Sequence, residues 1–453
     1  MDNSPPPGDK SISSDKERDS RLMLVANRGY RAVLVLAVAA TIMAVSLIVL
    51  VFRIPHHHRA RKLSAIKVAP ARAAALPEGA WRFIVSGDSR NCGDVVMPTI
   101  ATHSAQFAPA FYWHLGDLRA IYKIDEDMAF AAAKNGQVLA CENYERLAWG
   151  DFITNQIASF GHVPFYLGIG NHEVIPPKGP TEDAFKREFA DWLDLPALKE
   201  QREKDKEPAQ PEPYYHWIQG GVDFIYLDNA SNAFSQPQLT WLQNRLDSAE
   251  KNPDVRSVVV GMHEALPNSL AESHSMGIDP AGRASGETAY KALEKFRDHT
   301  YPDGHHKSVY VLASHSHFYM ENIFNTDKLT DGGKKQPLPG WIVGTAGAVR
   351  YALPGKFPNA KTDVYGYLVA TVTPDAPDST IQFSFKEVQE SDVPQWVRQR
   401  YPDALVPWCF ARNSQSKEPK VADLTQICLR RRARPALDIE MKLRASSQRH
   451  GPQ

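Results

Sequence analysis

Short apolar segments alternate with longer amphipathic ones over most of the chain from Trp81 to Val388. Nine of the apolar segments are typical of β-strands: WRFIVSGD, FYWHLGD, VPFYLGIGN, VDFIYLDN, RSVVVGMH, SVYVLASH, GWIVGTAGA, YGYLVATV and TIQFSFKEV. Several early segments are almost continuously apolar, as expected when both faces of a strand are buried, whereas the last ones alternate as in an antiparallel sheet. The pattern therefore predicts an α/β domain that is rich in sheet.

Helical periodicity lies between these strands, in ENYERLAWGDFITNQIASF, TEDAFKREFADWLD and QPQLTWLQNRLDSAE. The last segment follows Ser235, and a Ser-Gln-Pro sequence is a helix-start signal. The charged, proline-rich stretch from Lys199 to Pro213 predicts an exposed surface excursion rather than a domain boundary.

One apolar run is different from the others, because residues 32–52 (AVLVLAVAATIMAVSLIVLVF) contain no charge. A helix of this length, at about 1.5 Å per residue, crosses the roughly 30 Å hydrocarbon core of a bilayer. Basic residues flank the run on both sides, which favours a transmembrane helix over a buried soluble helix. The run is also longer than the apolar region of a signal peptide. We therefore predict a single-pass membrane protein.

The composition of the remaining segments indicates whether each is folded. We expect a disordered tail at 1–31, a linker at 53–79, a folded domain at 80–392 and a C-terminal extension with a basic tail at 393–453. The basic tail is either solvated or in contact with anionic lipid or an acidic partner. Lys and Arg total 52, as do Asp and Glu, so no nucleic-acid-binding surface is evident.

Four cysteines are consistent with two disulfides, which we predict to join Cys92 with Cys141 and Cys409 with Cys428. The alternative is four buried thiols in a cytosolic protein. Disulfides form in oxidising compartments, whereas the basic residues on the two sides of the apolar run are too evenly balanced to set its orientation. The cysteines thus favour an extracytoplasmic domain, periplasmic or extracellular.

Polar residues follow five of the predicted strands at the point where each strand ends. The motifs are Gly87-Asp88, Gly116-Asp117, Gly170-Asn171-His172-Glu173, His263 and His315-Ser316-His317. Ligands of open α/β sheets bind beyond the carboxyl ends of the strands, so these side chains are expected to share one site. Carboxylate, amide and imidazole donors together favour Mn, Fe or Zn rather than Ca or Mg alone. A single Gly-Asp after a strand is usually a turn, and it is the ordered set that predicts a metal site.

This order resembles that of the calcineurin-like metallophosphoesterases, D-x-[HG], GDxx, GNH[DE], a lone His and GHxH. The resemblance covers about Trp81 to Val388, and YYHWIQGGVDFIYLDNAS and QLTWLQNRLDSA are similar to the purple-acid-phosphatase-like branch. Together with the strand pattern, it implies a four-layer α/β/β/α sandwich of two mixed sheets. The implied activity is hydrolysis of phosphomonoesters or phosphodiesters by a metal-activated hydroxide.

The resemblance also implies two divalent or trivalent ions, Mn, Fe or Zn. Six matched residues would be their ligands: Asp88, Asp117, Asn171, His263, His315 and His317. Asp117 would bridge the ions, Asp88 and His317 would hold one, and the other three would hold the second. His172 would contact the substrate phosphate or protonate the leaving oxygen, and Glu173 would orient it.

Arg90 is the main departure from the pattern, because many members have a His there and a guanidinium cannot be a metal ligand. Arg90 would be either a substrate-binding clamp on phosphate oxygens or a structural ion pair. Purple acid phosphatases lack that His too, but they supply a Tyr where this chain has Ala120. The candidate substitutes here are Tyr122, Asn91 and Asp94.

Two further positions bear on the site. Ser314 stands where the GHxH motif has Gly, which is a small-for-small change, and His114 is expected to be packed rather than a ligand. The alternative function is a catalytically degenerate protein that binds a phosphorylated ligand, with Arg90 filling one metal pocket.

Overall fold

The computed structural model describes residues 76–175, 179–271, 274–351, 357–374 and 381–411. The predicted tail at 1–31, the predicted transmembrane helix at 32–52, almost all of the linker and the basic tail lie outside these residues. Within the described ranges, no helix combines the length and the apolar character that a membrane span needs.

Twelve strands lie among the described residues: β1 Trp81–Ser86, β2 Tyr112–His114, β3 Phe165–Leu167, β4 Tyr215–Gln219, β5 Val222–Leu227, β6 Ser257–Met262, β7 Ser308–Ala313, β8 Tyr319–Glu321, β9 Gly340–Val343, β10 Ala360–Lys361, β11 Tyr365–Val372 and β12 Ile381–Val388. They form a five-stranded sheet, in the order β12-β11-β1-β2-β3, and a seven-stranded sheet, in the order β10-β8-β9-β7-β6-β5-β4. In the first sheet β1, β2 and β3 are parallel, and in the second β5, β6, β7 and β9 are parallel. Both sheets also contain antiparallel pairs. The prediction of two mixed sheets is therefore confirmed.

Aromatic side chains fill the space between the two sheets. Phe83 on β1 packs edge-to-face on Phe224 of β5, with ring centroids 5.0 Å apart. Trp113 on β2 lies 5.4 Å from Trp217 of β4, and Tyr166 on β3 stacks on the same indole at 3.8 Å. Edge-to-face and stacked pairs add to the free energy gained by burying such large side chains. This layer fixes one sheet against the other and thereby aligns their strand ends.

Eleven α-helices lie in the described ranges: α1 Gly93–Ser104, α2 Glu126–Lys134, α3 Cys141–Asp151, α4 Glu182–Glu188, α5 Ala190–Leu193, α6 Pro196–Asp205, α7 Gln236–Lys251, α8 Pro280–Asp298, α9 Asp327–Thr330, α10 Gln395–Arg400 and α11 Leu405–Ala411. Leu246 of α7 and Leu293 of α8 are buried in one cluster with Val260, whose side chain points away from the aromatic layer. The predicted start of α7 is confirmed, because the Ser235 hydroxyl accepts a hydrogen bond from the Gln238 amide.

The stretch from Lys199 to Pro213 begins within a helix, and the prediction of an exposed excursion is wrong for its buried residues Gln201 and Arg202. Helix α6 begins at Pro196, where the missing amide hydrogen costs nothing. Leu198 is fully buried, and the Arg202 guanidinium donates a hydrogen bond to the Leu193 carbonyl at 3.0 Å. The high charge of this segment gave no indication that one face of the helix is buried.

A disulfide joins the beginning of α1 to the end of the described chain. Cys92 is bonded to Cys409 of α11, with Cα atoms 5.9 Å apart, so the predicted pairings of Cys92 with Cys141 and of Cys409 with Cys428 are wrong. Cys141 is also disulfide-bonded. Four cysteines allow three pairings, and sequence spacing cannot choose among them. The core cluster that contains the aromatic layer also includes Val397, Leu405 and Cys409. The segment after Val393 therefore packs on the domain.

His216 on β4 links pH to stability. Its Nδ1 lies 2.9 Å from Asp223 Oδ1 and its Nε2 lies 2.7 Å from Asp205 Oδ2, which Arg245 also contacts. Burial lowers the pKa of His216, but the two carboxylates outweigh burial and raise it to about 9. The stabilisation is therefore fully present below about pH 6.5 and is lost as the pH rises through about 9. We expect urea unfolding to show a loss of about 3 kcal/mol over this interval.

His216→Gln is the matched variant for this prediction, because its side chain keeps hydrogen-bonding groups but has no titrating nitrogen. We expect it to lose stability relative to the wild type at pH 6.5 and to lie closer to it above pH 9. Parallel pH profiles for the two proteins would contradict the assignment.

Candidate metal centre

All six predicted ligands lie at the carboxyl ends of parallel strands, three after strands of each sheet. Asp88, Asp117 and Asn171 follow β1, β2 and β3 of the five-stranded sheet. His263 follows β6, and His315 and His317 follow β7 of the seven-stranded sheet. The donor atoms form two groups that share Asp117. We call Asp88, Asp117 and His317 the first ligand group, and Asp117, Asn171, His263 and His315 the second ligand group.

Three of these residues have left-handed backbones. Asp88, Asp117 and His315 have φ angles of 60°, 60° and 63°, which are uncommon for residues other than glycine. Gly116 precedes Asp117 with a φ of 93°, and a Cβ atom there would lie 2.6 Å from the Gly170 amide nitrogen. The sharp turns bring the ligand side chains over the strand ends, and the strain is of the kind found at functional sites.

The second ligand group has the spacing of donors around a small cation. His263 Nε2 lies 2.9 Å from Asn171 Oδ1 and 3.2 Å from Asp117 Oδ1. His315 Nδ1 lies 3.1 Å from both Asn171 Oδ1 and His263 Nε2. Donors at about 2.0 to 2.1 Å from a tetrahedral ion are separated by roughly 3.3 Å. These four residues therefore fit an ion such as Zn, Mn or Fe.

The hydrogen bonds of His263 fix the nitrogen that faces this group. Its Nδ1 lies 3.0 Å from the Leu115 carbonyl oxygen, which can only accept, so Nδ1 carries the hydrogen and Nε2 is left to bind an ion. The Ser314 hydroxyl, 2.8 Å from the same carbonyl, lies 3.1 Å from Nδ1. The serine that replaces Gly in the motif thus supports a ligand.

The electrostatics of this group favour a positive charge. Burial lowers the pKa of His263, but the charge of Asp117 outweighs burial and raises it to about 10. Burial, followed by the charge of His263, lowers the pKa of His315 well below its ordinary value. Two imidazole nitrogens 3.1 Å apart repel each other unless a proton or a cation lies between them.

The first ligand group is deeply buried and contains unpaired oxygens. Asp88 Oδ1 and Asp117 Oδ2 have no hydrogen-bond partner among the described residues, which is costly for carboxylate oxygens. His317 Nε2 lies 3.4 Å from Asp88 Oδ1. The guanidinium of Arg90 enters this group, with Nη2 2.8 Å from His317 Nε2 and Nε 3.8 Å from Asp117 Oδ2.

His172 faces the same guanidinium. Its Nδ1 lies 2.6 Å from the Ala120 carbonyl oxygen and therefore carries the hydrogen, while its Nε2 accepts a hydrogen bond from Arg90 Nη1. Burial, followed by the charge of Arg90, lowers the pKa of His172 to about 4. The imidazole is therefore neutral near pH 7 and presents only Nε2 to the site.

Glu173 lies beneath the site and binds backbone. Its carboxylate accepts hydrogen bonds from the amides of Asp117 at 2.9 Å, Leu118 at 3.0 Å and Gly170 at 2.8 Å. The resemblance implied that Glu173 orients His172, but in the structure Arg90 and a carbonyl hold that imidazole. Glu173 instead ties the loop after β2 to the loop after β3.

The three candidate substitutes for the missing His have different positions. Asn91 donates a hydrogen bond to Glu126 Oε2 at 2.7 Å, and Asp94 is paired with the buried Arg119, so both are engaged outside the ligand groups. Tyr122 is at the site, with its ring centroid 5.1 Å from that of His172 and 38% of its surface exposed. Tyr122 therefore lines the mouth of the centre.

Tyr351 is a site residue that the sequence did not indicate. Its ring stacks on His317 with centroids 4.1 Å apart. His317 Nδ1 donates a hydrogen bond to the carbonyl of Val349, which lies two residues before Tyr351. No motif marks this segment, although it follows the strand segment GWIVGTAGA. His114, by contrast, is packed below the site, where its Nδ1 accepts from the Gly116 amide at 3.2 Å.

A third group of acidic and imidazole side chains lies elsewhere, at β4 and the end of α6. It contains Asp205, Glu207 and His216. Arg245 Nη1 lies 2.9 Å from Asp205 and 3.4 Å from Glu207, so a resident cation already balances these carboxylates. This group is an ion-pair network.

No protein-family profile matches the chain, and no curated protein matches it. Several solved structures are similar to it. The purple acid phosphatase PPD1 from yellow lupin (Lupinus luteus) seeds is 15% identical with a TM-score of 0.46, over 70% of this chain and 52% of that one. PhoD is 17% identical with a TM-score of 0.44, over 71% and 73% of the two chains. A 5'-nucleotidase precursor from Thermus thermophilus is 12% identical with a TM-score of 0.32, over 74% and 60%.

The chain spans about half the length of the purple acid phosphatase that it matches. Its five strand-end motifs stand in the expected order, and the structure brings their six donor residues into two groups that share one carboxylate. In these motifs and in this centre, the chain resembles the calcineurin-like metallophosphoesterases.

Proposed function

We propose that the chain is a metal-dependent phosphoesterase that hydrolyses phosphomonoesters or phosphodiesters. The observation that supports this most directly is the second ligand group beside Arg90 and His172. In this group His263 and His315 each lie 2.9 to 3.1 Å from Asn171 and from each other, and His263 lies 3.2 Å from Asp117. With the Arg90 cation beside it, such a centre favours a substrate that carries negative charge, and a phosphate ester provides it.

A bound ion would lower the pKa of a water molecule from about 15.7 towards 7 and would neutralise charge on the phosphate. Asp117, Asn171, His263 and His315 would hold that ion. In the hydrolysis, the oxygen of water bonds to phosphorus and the bond from phosphorus to the leaving oxygen breaks. One proton of the water ends on the leaving alcohol and the other stays with the phosphate.

Arg90 and His172 would act on the substrate itself. The planar guanidinium can donate two hydrogen bonds to phosphate oxygens while it holds His172 Nε2. Because the Nδ1 hydrogen of His172 is engaged by the Ala120 carbonyl, any proton that His172 exchanges with the leaving oxygen must pass through Nε2.

We also propose that the domain is extracytoplasmic and is held at a membrane by residues 32–52. The uncharged apolar run supports the anchor, and the buried disulfide between Cys92 and Cys409 supports an oxidising compartment.

Removing the metal should abolish hydrolysis. We expect exhaustive dialysis against EDTA to lower the rate on p-nitrophenyl phosphate and bis(p-nitrophenyl) phosphate by about 100-fold or more, because the water loses its activating ion. Adding back Mn²⁺, Zn²⁺ or Fe²⁺ should restore the rate with at least one ester. The residual metal is measured by mass spectrometry, and full activity in demonstrably metal-free protein would contradict the proposal.

One observation favours a second candidate function, binding of a phosphorylated ligand without turnover. Arg90 already contacts His317, a predicted ligand of the first group, and His172. Binding of inorganic phosphate with no hydrolysis in metal-loaded protein would support this alternative.

A further inference from the structure

The Arg90 guanidinium lies against the donor atoms of the first ligand group, where an ion of that group would bind. Arg90 lies two residues after Asp88, and its side chain is almost completely buried. Its Nη2 is 2.8 Å from His317 Nε2, and its Nε is 3.8 Å from Asp117 Oδ2. Both of these atoms belong to the first ligand group, so the guanidinium and an ion would compete for the same space.

The tautomer of His317 makes this competition direct. Its Nδ1 donates to the Val349 carbonyl, so Nε2 has the single in-plane lone pair that could bind an ion. That lone pair accepts a hydrogen bond from Arg90 Nη2. One lone pair cannot serve the guanidinium and an ion at the same time.

Charge acts in the same direction. The Asp88 and Asp117 carboxylates face a guanidinium that stays protonated, so one positive charge is already present in the first ligand group. A divalent ion placed there would be repelled by Arg90 at close range. The second ligand group contains no such cation, and the Arg90 nitrogens have no contact with its Asn171, His263 or His315 donors among the described hydrogen bonds and ion pairs.

We propose that Arg90 is a built-in substitute for one metal ion, so that the chain binds a single ion in the second ligand group. This inference rests on the proposed phosphoesterase function. The guanidinium then supplies the second positive charge towards the phosphate, and it cannot be removed by a chelator. The carboxylates of Asp117 and Asp88 are its counter-charges.

Metal stoichiometry tests this inference separately from activity. The full-length protein is loaded with Mn²⁺, freed of excess ion, and measured by mass spectrometry and by electron paramagnetic resonance. We expect about one ion per wild-type chain, with the spectrum of isolated Mn²⁺. In Arg90→His, which restores the His of the family pattern, we expect about two ions whose spins are coupled at roughly 3.5 to 4 Å.

Three further variants make the count specific. Asp117→Asn, which damages both ligand groups, measures ions bound elsewhere, for example at His56 to His58. Arg82→His adds a histidine on β1 away from the ligand groups and should leave the count at the wild-type value. Arg90→Ala removes the guanidinium without adding a ligand, so it should allow a second ion to bind with lower affinity.

Each outcome is decisive. Two coupled ions in the wild type would overturn the inference and leave the phosphoesterase proposal standing. A single ion in the wild type and also in both Arg90 variants would show that Arg90 does not exclude the second ion, and would overturn it too. No ion together with no hydrolysis would overturn both proposals.

Discussion

Asp117→Asn should reduce phosphoester hydrolysis by about 1,000-fold or more, the largest effect that we expect from a single substitution. Asp117 is shared by the two ligand groups, and its Oδ1 lies 3.2 Å from His263 Nε2. The amide has no negative charge, and its NH₂ group cannot bind an ion. The substitution should therefore lower both kcat with p-nitrophenyl phosphate and the bound metal measured by mass spectrometry.

The control for this prediction is an Asp to Asn change remote from the centre. Asp303 lies between α8 and β7, and 70% of its side chain is exposed, so Asp303→Asn should leave kcat, KM and metal content unchanged. Circular dichroism and thermal unfolding establish that both variants are folded. A folded, metal-replete Asp117→Asn protein with more than a third of the wild-type rate would rule out this centre as the catalytic site.

Removal of the Cys92 to Cys409 disulfide should cause the largest loss of stability. The bond joins residues 317 positions apart, and loss of a native disulfide from a domain typically costs about 2 to 5 kcal/mol. We expect Cys92→Ser/Cys409→Ser to lower the free energy of unfolding in urea by this amount. We also expect weaker phosphate binding, because the Cys92 amide donates hydrogen bonds to the carbonyl of Arg90 and to that of Gly347, which lies in the segment after β9.

Unfolding in dithiothreitol controls for local effects of the two serines. The reduced unfolded chain has no disulfides in either protein, so the difference between wild type and variant should largely disappear. A difference that persists unchanged would mean that serine packing, and not the covalent bond, sets the stability. A difference below about 0.5 kcal/mol without reductant would contradict the prediction itself.

Much of the sheet could be predicted because its central strands are buried on both faces. All nine predicted strand segments contain strands of the structure, whereas β4, β8 and β10 lie outside those segments. The pattern ENYERLAWGDFITNQIASF contains helix α3, but beyond Asp151 the backbone widens to a π-helix at 152–156 and then tightens to a 3₁₀-helix at 157–160. Periodicity cannot distinguish these helix types here, because segments of five and four residues make little more than one turn each and are too short to show a period.

The site was predictable for a different reason. Each candidate ligand lies within four residues after the end of a strand, so chain topology alone places these residues at one edge of the fold. The contacts between Arg90, His172 and His317 depend on the packing of both sheets, and no local pattern reports them. Tyr351 could not be predicted for the same reason, because its position over His317 is set by the turn after β9 and not by a local pattern.

The division of the ligands between the two sheets has a consequence for how the centre is assembled during synthesis. Asp88, Asp117 and Asn171 leave the ribosome well before His263, and the last donors, His315 and His317, are more than 140 residues behind Asn171. The aromatic layer that aligns the two sets needs both sheets. A nascent chain therefore cannot assemble the full ligand set until the second sheet has docked, and the capture of an ion by this candidate centre would be a late step that depends on a completed fold.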